Sequence, residues 1–289
     1  MPVTRSLAKL TTTLFNEAAQ ANRATLCRRG HVVEITTENG ADIMVTADLH
    51  GDRLNFDQVL EIAALAQNPG RHLILQEICH GGPNYPGDGG CMSHLLLEDV
   101  AQLKIRFPER VHFILSNHEL AEATSFPIAK AGQLLNLHFY EGLRDMYGDA
   151  AEEVHVAMKA FLLSCPVAAR AAGNLFLSHS LPSRWDERVD KLTILEREWL
   201  PEDLSPGGDV FRLVWGRDYR RQNAAAFAET VGATVLIHGH EPCPDGFFAP
   251  NDIQVIIDTS GQNACYALLP LGQHLTHTDV LGCVKKLHR

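Results

Sequence analysis

The chain has 289 residues, 45% of them hydrophobic and 21% charged, a size near the upper end for one domain and enough for a substantial core. With 25 Lys plus Arg against 35 Asp plus Glu, the net charge of −10 argues against nucleic acid or an anionic membrane surface as a partner. Seven cysteines without a C-x-x-C pair, and no apolar run near the roughly 18 residues that span a bilayer, exclude a disulfide framework, a structural zinc site and a membrane span. They predict an unprocessed cytoplasmic protein.

In chain order, Leu7, Leu10, Leu14 and Ala18 recur at helical spacing and predict an amphipathic helix over Leu7 to Arg23, followed by a short strand at Val32 to Thr36. Residues 1–36 read as an N-terminal helical appendage to a core at 42–271, within one domain spanning 1–289. Six apolar runs follow: Asp42 to Ala47, His72 to Glu77, Val111 to Ser116, Asn174 to His179, Thr234 to Gly239 and Gln254 to Ser260. Helical patterns fall at Phe56 to Ala66, Ser93 to Arg106, Glu141 to Leu163 with a break, and Ala224 to Val231. Runs of this length alternating with helices predict an α/β fold. Leu181 to Gly208, rich in charge, Pro and Trp, reads as a loop or insertion, and the glycine- and proline-rich stretch from His80 to His94 as an irregular loop at the rim. Asp88 or His94 could enter the site from that stretch, with solvent exposure the expectation for each.

Five runs end in metal-binding types: Asp48 and His50 in ADLHGD, Glu77 in QEICHGG, Asn117 with His118 in SNHE, His179 in SHS and His240 in HGHE. The carboxyl ends of neighbouring strands in layered α/β folds converge on one rim, so residues distant in sequence can share a cluster there. One such motif alone is an ordinary loop; five with agreeing donor types are not. Carboxylate, imidazole and amide oxygen without thiolate suit manganese, iron or zinc. A pair of such ions serves in-line attack on a phosphoryl group.

In order and spacing these motifs resemble the calcineurin-like metallophosphoesterase superfamily, and more closely its phosphoprotein phosphatase branch, in a bacterial-type version. LVWGRDY, Leu213 to Tyr219, is similar to that branch's LLW segment, and HGHEPCPDGFF with the closing strands is similar to its end of domain. The resemblance implies a four-layer α/β fold, two sheets packed as a sandwich flanked by helices. It also implies that Asp48 and His50 bind one divalent ion, that Glu77 bridges two, and that Asn117, His179 and His240 hold the second. His118 would protonate the leaving oxygen, and Arg217 would grip the substrate phosphate, with Arg220 and Arg221 as nearby alternatives.

The second motif departs from the family's GDxxDRG. Glu77 lengthens the bridging carboxylate by a methylene, His80 replaces the acid that orients the catalytic histidine, and Gly81 replaces an arginine clamp. His80 is left as a hydrogen-bond partner of His118, an extra ligand or an acid. The activity implied is hydrolysis of a phosphomonoester, with a phosphoserine or phosphothreonine protein as the leading substrate. The alternatives are cleavage of a dinucleoside polyphosphate, or a degenerate phosphatase that only binds.

Overall fold

A computed structural model of the chain describes residues 2–87, 89–188 and 192–288; Asp88 and part of the Leu181 to Gly208 stretch lie outside the described residues. Helix α1 (Pro2–Ala24) leads into β1 (Arg28–Arg29), β2 (Val32–Ile35), β3 (Asp42–Asp48), α2 (Arg53–Ala63) and β4 (Arg71–Gln76). Then come α3 (Ser93–Arg106), β5 (Val111–Ile114), α4 (Asn117–Thr124), the hairpin β6 (Ala129–Lys130) and β7 (Gln133–Leu134), α5 (Leu135–Tyr147) and α6 (Ala151–Ser164). The second half runs β8 (Ala168–Ala171), β9 (Leu175–Ser178), α7 (Asp209–Trp215), α8 (Arg221–Val231), β10 (Val235–His238), β11 (Phe247–Phe248), β12 (Gln254–Ile257), β13 (Cys265–Pro270), α9 (His277–Gly282) and β14 (Val284–Lys286). All six apolar runs form strands, and the break inside Glu141 to Leu163 falls at a 3-10 turn over Gly148–Ala150.

Two main sheets result. One has the order β1-β2-β8-β9-β10-β12-β11, the other β14-β13-β3-β4-β5. Within them β3, β4 and β5 are mutually parallel, as are β9, β10 and β12. The side-chain period of two divides each strand between two cores. Ile43, Val45 and Ala47 of β3 join Ile237, Val255 and Leu177 between the sheets. Met44 of the same strand, with Leu73, Phe113, Phe176 and Leu236, packs outward among the helices. Two sheets back to back with helices outside are the four-layer arrangement.

Residues 2–36 are tied into this architecture. β2 runs parallel to β8, and α1 packs on α6 and α3. Its buried face is Ala8, Thr11, Phe15, Ala18, Ala19 and Asn22, with the Phe15 ring 5.7 Å from that of Phe161. Of the four residues that marked the apolar face, Ala18 is buried and Leu7 and Leu14 pack against the core, whereas Leu10 stands 66% exposed. His94 also departs from expectation. It is buried, its Nε2 3.0 Å from the Tyr85 hydroxyl and its Nδ1 3.1 Å from Glu98 Oε1. No helix among the described residues is long and apolar enough to cross a membrane.

Candidate metal centre and active site

Asp48 ends β3, Glu77 follows β4, Asn117 and His118 open α4 just beyond β5, and His179 and His240 lie just beyond β9 and β10. Each sheet thus brings the carboxyl ends of its parallel strands to the same rim, and a parallel bridge between Asp48 and Asp258 joins the two sheets there. Backbone geometry at this rim is unusual. His50, Glu77, His80 and His240 have φ of +45°, +43°, +67° and +70°, a region costing L residues about 1–3 kcal/mol when the surroundings hold them there. The holding bonds are visible. The Glu77 carbonyl accepts from the Leu49 and His50 amides at 2.9 and 2.8 Å, and Asp48 Oδ1 accepts from the His240 amide at 2.8 Å. Ser116 caps α4 by accepting from the His118 amide at 3.2 Å.

The side chains converge. His179 Nε2 lies 2.7 Å from Asn117 Oδ1 and 3.2 Å from His240 Nδ1, and His240 Nδ1 lies 3.0 Å from Asn117 Oδ1. Ligand atoms at right angles around an ion with bonds near 2.1 Å are separated by about 3 Å, the edge this triangle has. Glu77 spans the interval to the other group: its Oε2 is 2.7 Å from His179 Nε2, its Oε1 3.0 Å from His50 Nε2. Two sets with cation-binding geometry, His50 with Glu77 and His118, and Glu77 with His179 and His240, share that carboxylate. Glu77 Oε2, for all its closeness to His179 Nε2, and His240 Nε2 complete no well-directed hydrogen bond among the described residues, so each retains binding capacity in a buried place. These observations and the donor chemistry fit divalent ions.

Electrostatics point the same way. Burial, with Glu77 nearby, pushes Asp48 up to about 7. Burial would raise Glu77 too, but His179, His118 and His50 hold it well below the usual carboxylate range. His50 is raised to about 9 because Glu77 and Asp48 outweigh the desolvation that opposes its charge, and His179 is raised against desolvation by the same carboxylates. Burial lowers His240 to about 2. His240 is thus held in the neutral form that ligates a metal, and the protons favoured on His50 and His179 mark where two buried carboxylates call for positive charge in their midst.

Beside this cluster stands a chain of side chains. His118 Nε2 is 3.9 Å from Glu77 Oε1, while its Nδ1 is 3.0 Å from Nδ1 of His80. His80 Nε2 is 2.8 Å from Glu122 Oε2, and Glu122 Oε1 is 2.6 Å from His155 Nε2. Glu122 and His155 escaped sequence analysis; the signal that could have found Glu122 is its i,i+4 spacing from His118 on α4, which puts both on one helix face.

The arginines are distributed unevenly. Arg217 is tethered to Glu241, next to His240, at 2.9 Å. Arg220 is engaged by Asp186 and Asp218, and Arg221 by Asp252, and no contact among the described residues joins either to the cluster.

A cavity of about 290 Å³ opens onto His50, His80 and His118, its outer walls including Asn84, Lys130, Gln133 and His138. The side chain of Lys130, on the β6–β7 hairpin, has no hydrogen bond or ion pair among the described residues. A larger depression of about 660 Å³ between Arg188 and Arg212 shares no lining residue with the cluster, which separates it from the chemistry.

Residues 41–244 match the calcineurin-like phosphoesterase family. The serine/threonine-protein phosphatase PP2A-like PPG1 of Candida albicans is 23% identical over 244 residues, 78% of this chain but 52% of that protein, so the chain spans about half the length of this relative. A protein serine/threonine phosphatase from Saccharomyces cerevisiae, with similarity to human phosphatase PP5, has the same fold at TM-score 0.65 and 15% identity, covering 93% of this chain and 87% of that one. A cold-active protein-tyrosine phosphatase of a psychrophilic Shewanella superposes with TM-score 0.59 at 12% identity, covering 90% and 83%. The chain belongs to the calcineurin-like phosphoesterase family. Family members use divalent metal ions, and the two residue sets around Glu77 are the candidate positions for them here.

Proposed function

We propose that the chain hydrolyses phosphomonoesters in the cytoplasm with two divalent ions, manganese, iron or zinc, and that its substrate is phosphoserine or phosphothreonine in a protein. The observation that carries this reading is the sharing of Glu77 between two ligand sets, with His118 at the edge of the first. In this reading Asp48 and His50 hold one ion, Asn117, His179 and His240 the other, and Glu77 both. Such ions, when bound, neutralise developing charge on the phosphoryl group and ease formation of the attacking nucleophile. His118 presents Nε2 to the leaving oxygen and delivers a proton there. Arg217 approaches from the His240 side and Lys130 from the hairpin side, supplying cationic donors to the phosphate oxygens. The cavity beside His118, about 290 Å³, is at the small end of ligand pockets, which suits a phosphorylated side chain better than a dinucleotide. A cytoplasmic location accords with seven cysteines that are all free.

Turnover of phosphoserine, phosphothreonine and phosphotyrosine peptides, diadenosine tetraphosphate and an aryl phosphate, each with manganese, iron or zinc, tests the reading. Fastest turnover of the first two supports it. Preference for phosphotyrosine or the dinucleotide overturns the substrate class, and binding without turnover of any of them overturns catalysis.

A further inference from the structure

We propose that Glu122 is a positioning residue that acts through His80 to fix which nitrogen of His118 faces the reacting phosphate. The inference rests on the reading of His118 as the proton-delivering group. His118 and Glu122 lie on one face of α4, and the His80 ring fills the space between them, 3.0 Å from the first and 2.8 Å from the second. An ionised carboxylate only accepts hydrogen bonds. Glu122 is buried and receives three nitrogens: His155 Nε2 at 2.6 Å, His80 Nε2 at 2.8 Å and Asn136 Nδ2 at 3.1 Å. Burial alone would raise its pKa, yet the bonds from His155 and His80 hold it down at about 2.

The consequence propagates along the chain of rings. A charged Glu122 requires the proton of neutral His80 to sit on Nε2, which leaves a lone pair on Nδ1. The Nδ1 of His118 facing that lone pair must then be the donor. Its Nε2, on the Glu77 side of the ring, is therefore the only nitrogen that can take up a second proton and pass it to the leaving oxygen, after which His118 returns to the neutral Nδ1–H form. His80 is itself fixed: its amide donates to Ser93 Oγ at 3.2 Å and its ring meets the edge of Phe139 with centroids 5.6 Å apart. One buried charge thereby sets a tautomer two rings away, with the orienting effect that outer partners exert on functional histidines.

Nitrogen-15 NMR of the histidine rings is the direct test. In the wild-type chain His80 should appear as the Nε2–H tautomer and His118 as a donor at Nδ1; a His80 proton on Nδ1 would overturn the inference whether or not the protein is a phosphatase. Glu122→Gln, which keeps the shape and removes the charge, should lower kcat about 10–100-fold with metal content and KM little changed, and should redistribute the His80 tautomers. In a His80→Asp background, where a carboxylate reaches toward His118 directly, the same Glu122→Gln change should cost under about threefold. An equal loss in both backgrounds identifies Glu122 as merely structural and sinks the proposal. Should Glu122→Gln not fold, the wild-type spectrum decides alone.

Discussion

Gly81 faces the main chain of His50 so closely that a Cβ at position 81 would come within 2.3 Å of the His50 carbonyl oxygen. His50 is at the candidate metal centre, so this contact seats the turn after β4 directly on the loop after β3. It also explains why the arginine of the family's second motif has no counterpart here: a side chain at 81 would drive His50 away from Glu77. Gly81→Ala should destabilise the fold by about 1–3 kcal/mol and weaken metal binding, seen in chemical denaturation and in metal titration. Gly81→Arg should lower activity still further, even paired with His80→Asp.

With no arginine at 81, the cation on the cavity wall whose side chain is unpaired among the described residues is Lys130. Lys130→Ala should raise KM about tenfold, the loss of one charge-assisted contact to phosphate, with a smaller change in kcat. The difference between wild type and variant should narrow at high ionic strength because Lys130 is exposed. Steady-state kinetics at two salt concentrations measure both.

Glu77→Gln removes the shared charge between the two ligand sets, so metal content should fall from two ions per chain to one or none and activity should vanish with it. Elemental analysis of wild type and variant after reconstitution with manganese reads this directly. Two ions in the variant would show that Glu77 is not the bridge.

His118→Asn and His240→Asn should fail differently. The first should reduce kcat by about 10²–10⁴-fold with both ions kept, and the second should release an ion, because His240 closes the triangle with Asn117 and His179. Equal metal loss in the two variants would reverse the assignment of donor and ligand.

Glu122 also predicts a pH dependence of stability. Burial disfavours its charge, but His155 and His80 overcome this and hold it at about 2 against an ordinary 4.5. The folded chain therefore binds fewer protons at Glu122 than the unfolded chain between those values, and stability rises with pH across the window. The contribution, up to about 3 kcal/mol, is complete above 4.5 and disappears as pH falls toward 2. Denaturation of wild type and Glu122→Gln from pH 7 to 3 should show a stability gap that is constant at first and narrows below 4.5.

Sequence alone determined the six central strands, the α/β layering and the gathering of Asp48, Glu77, Asn117, His179 and His240 at one rim. These are local facts: a short apolar run reads as a strand whatever its neighbours, and parallel strands send their carboxyl ends to a common edge. What tertiary structure decided is everything set by the rotation of one element against another. α1 has the predicted period but buries Phe15 and Ala18 while Leu10 faces outward, because α6 and α3 choose the face. His80 had several roles open to it until α4 placed His118 and Glu122 on either side of its ring and α6 brought His155 to within 2.6 Å of Glu122. Arg220 and Arg221 stood in sequence as nearby alternatives to Arg217; the aspartates that bind them come from positions 186, 218 and 252, two of them more than 30 residues away along the chain. No local pattern encodes such pairings, since hydrogen bonds and ion pairs across layers depend on helix docking that only burial of the whole core fixes.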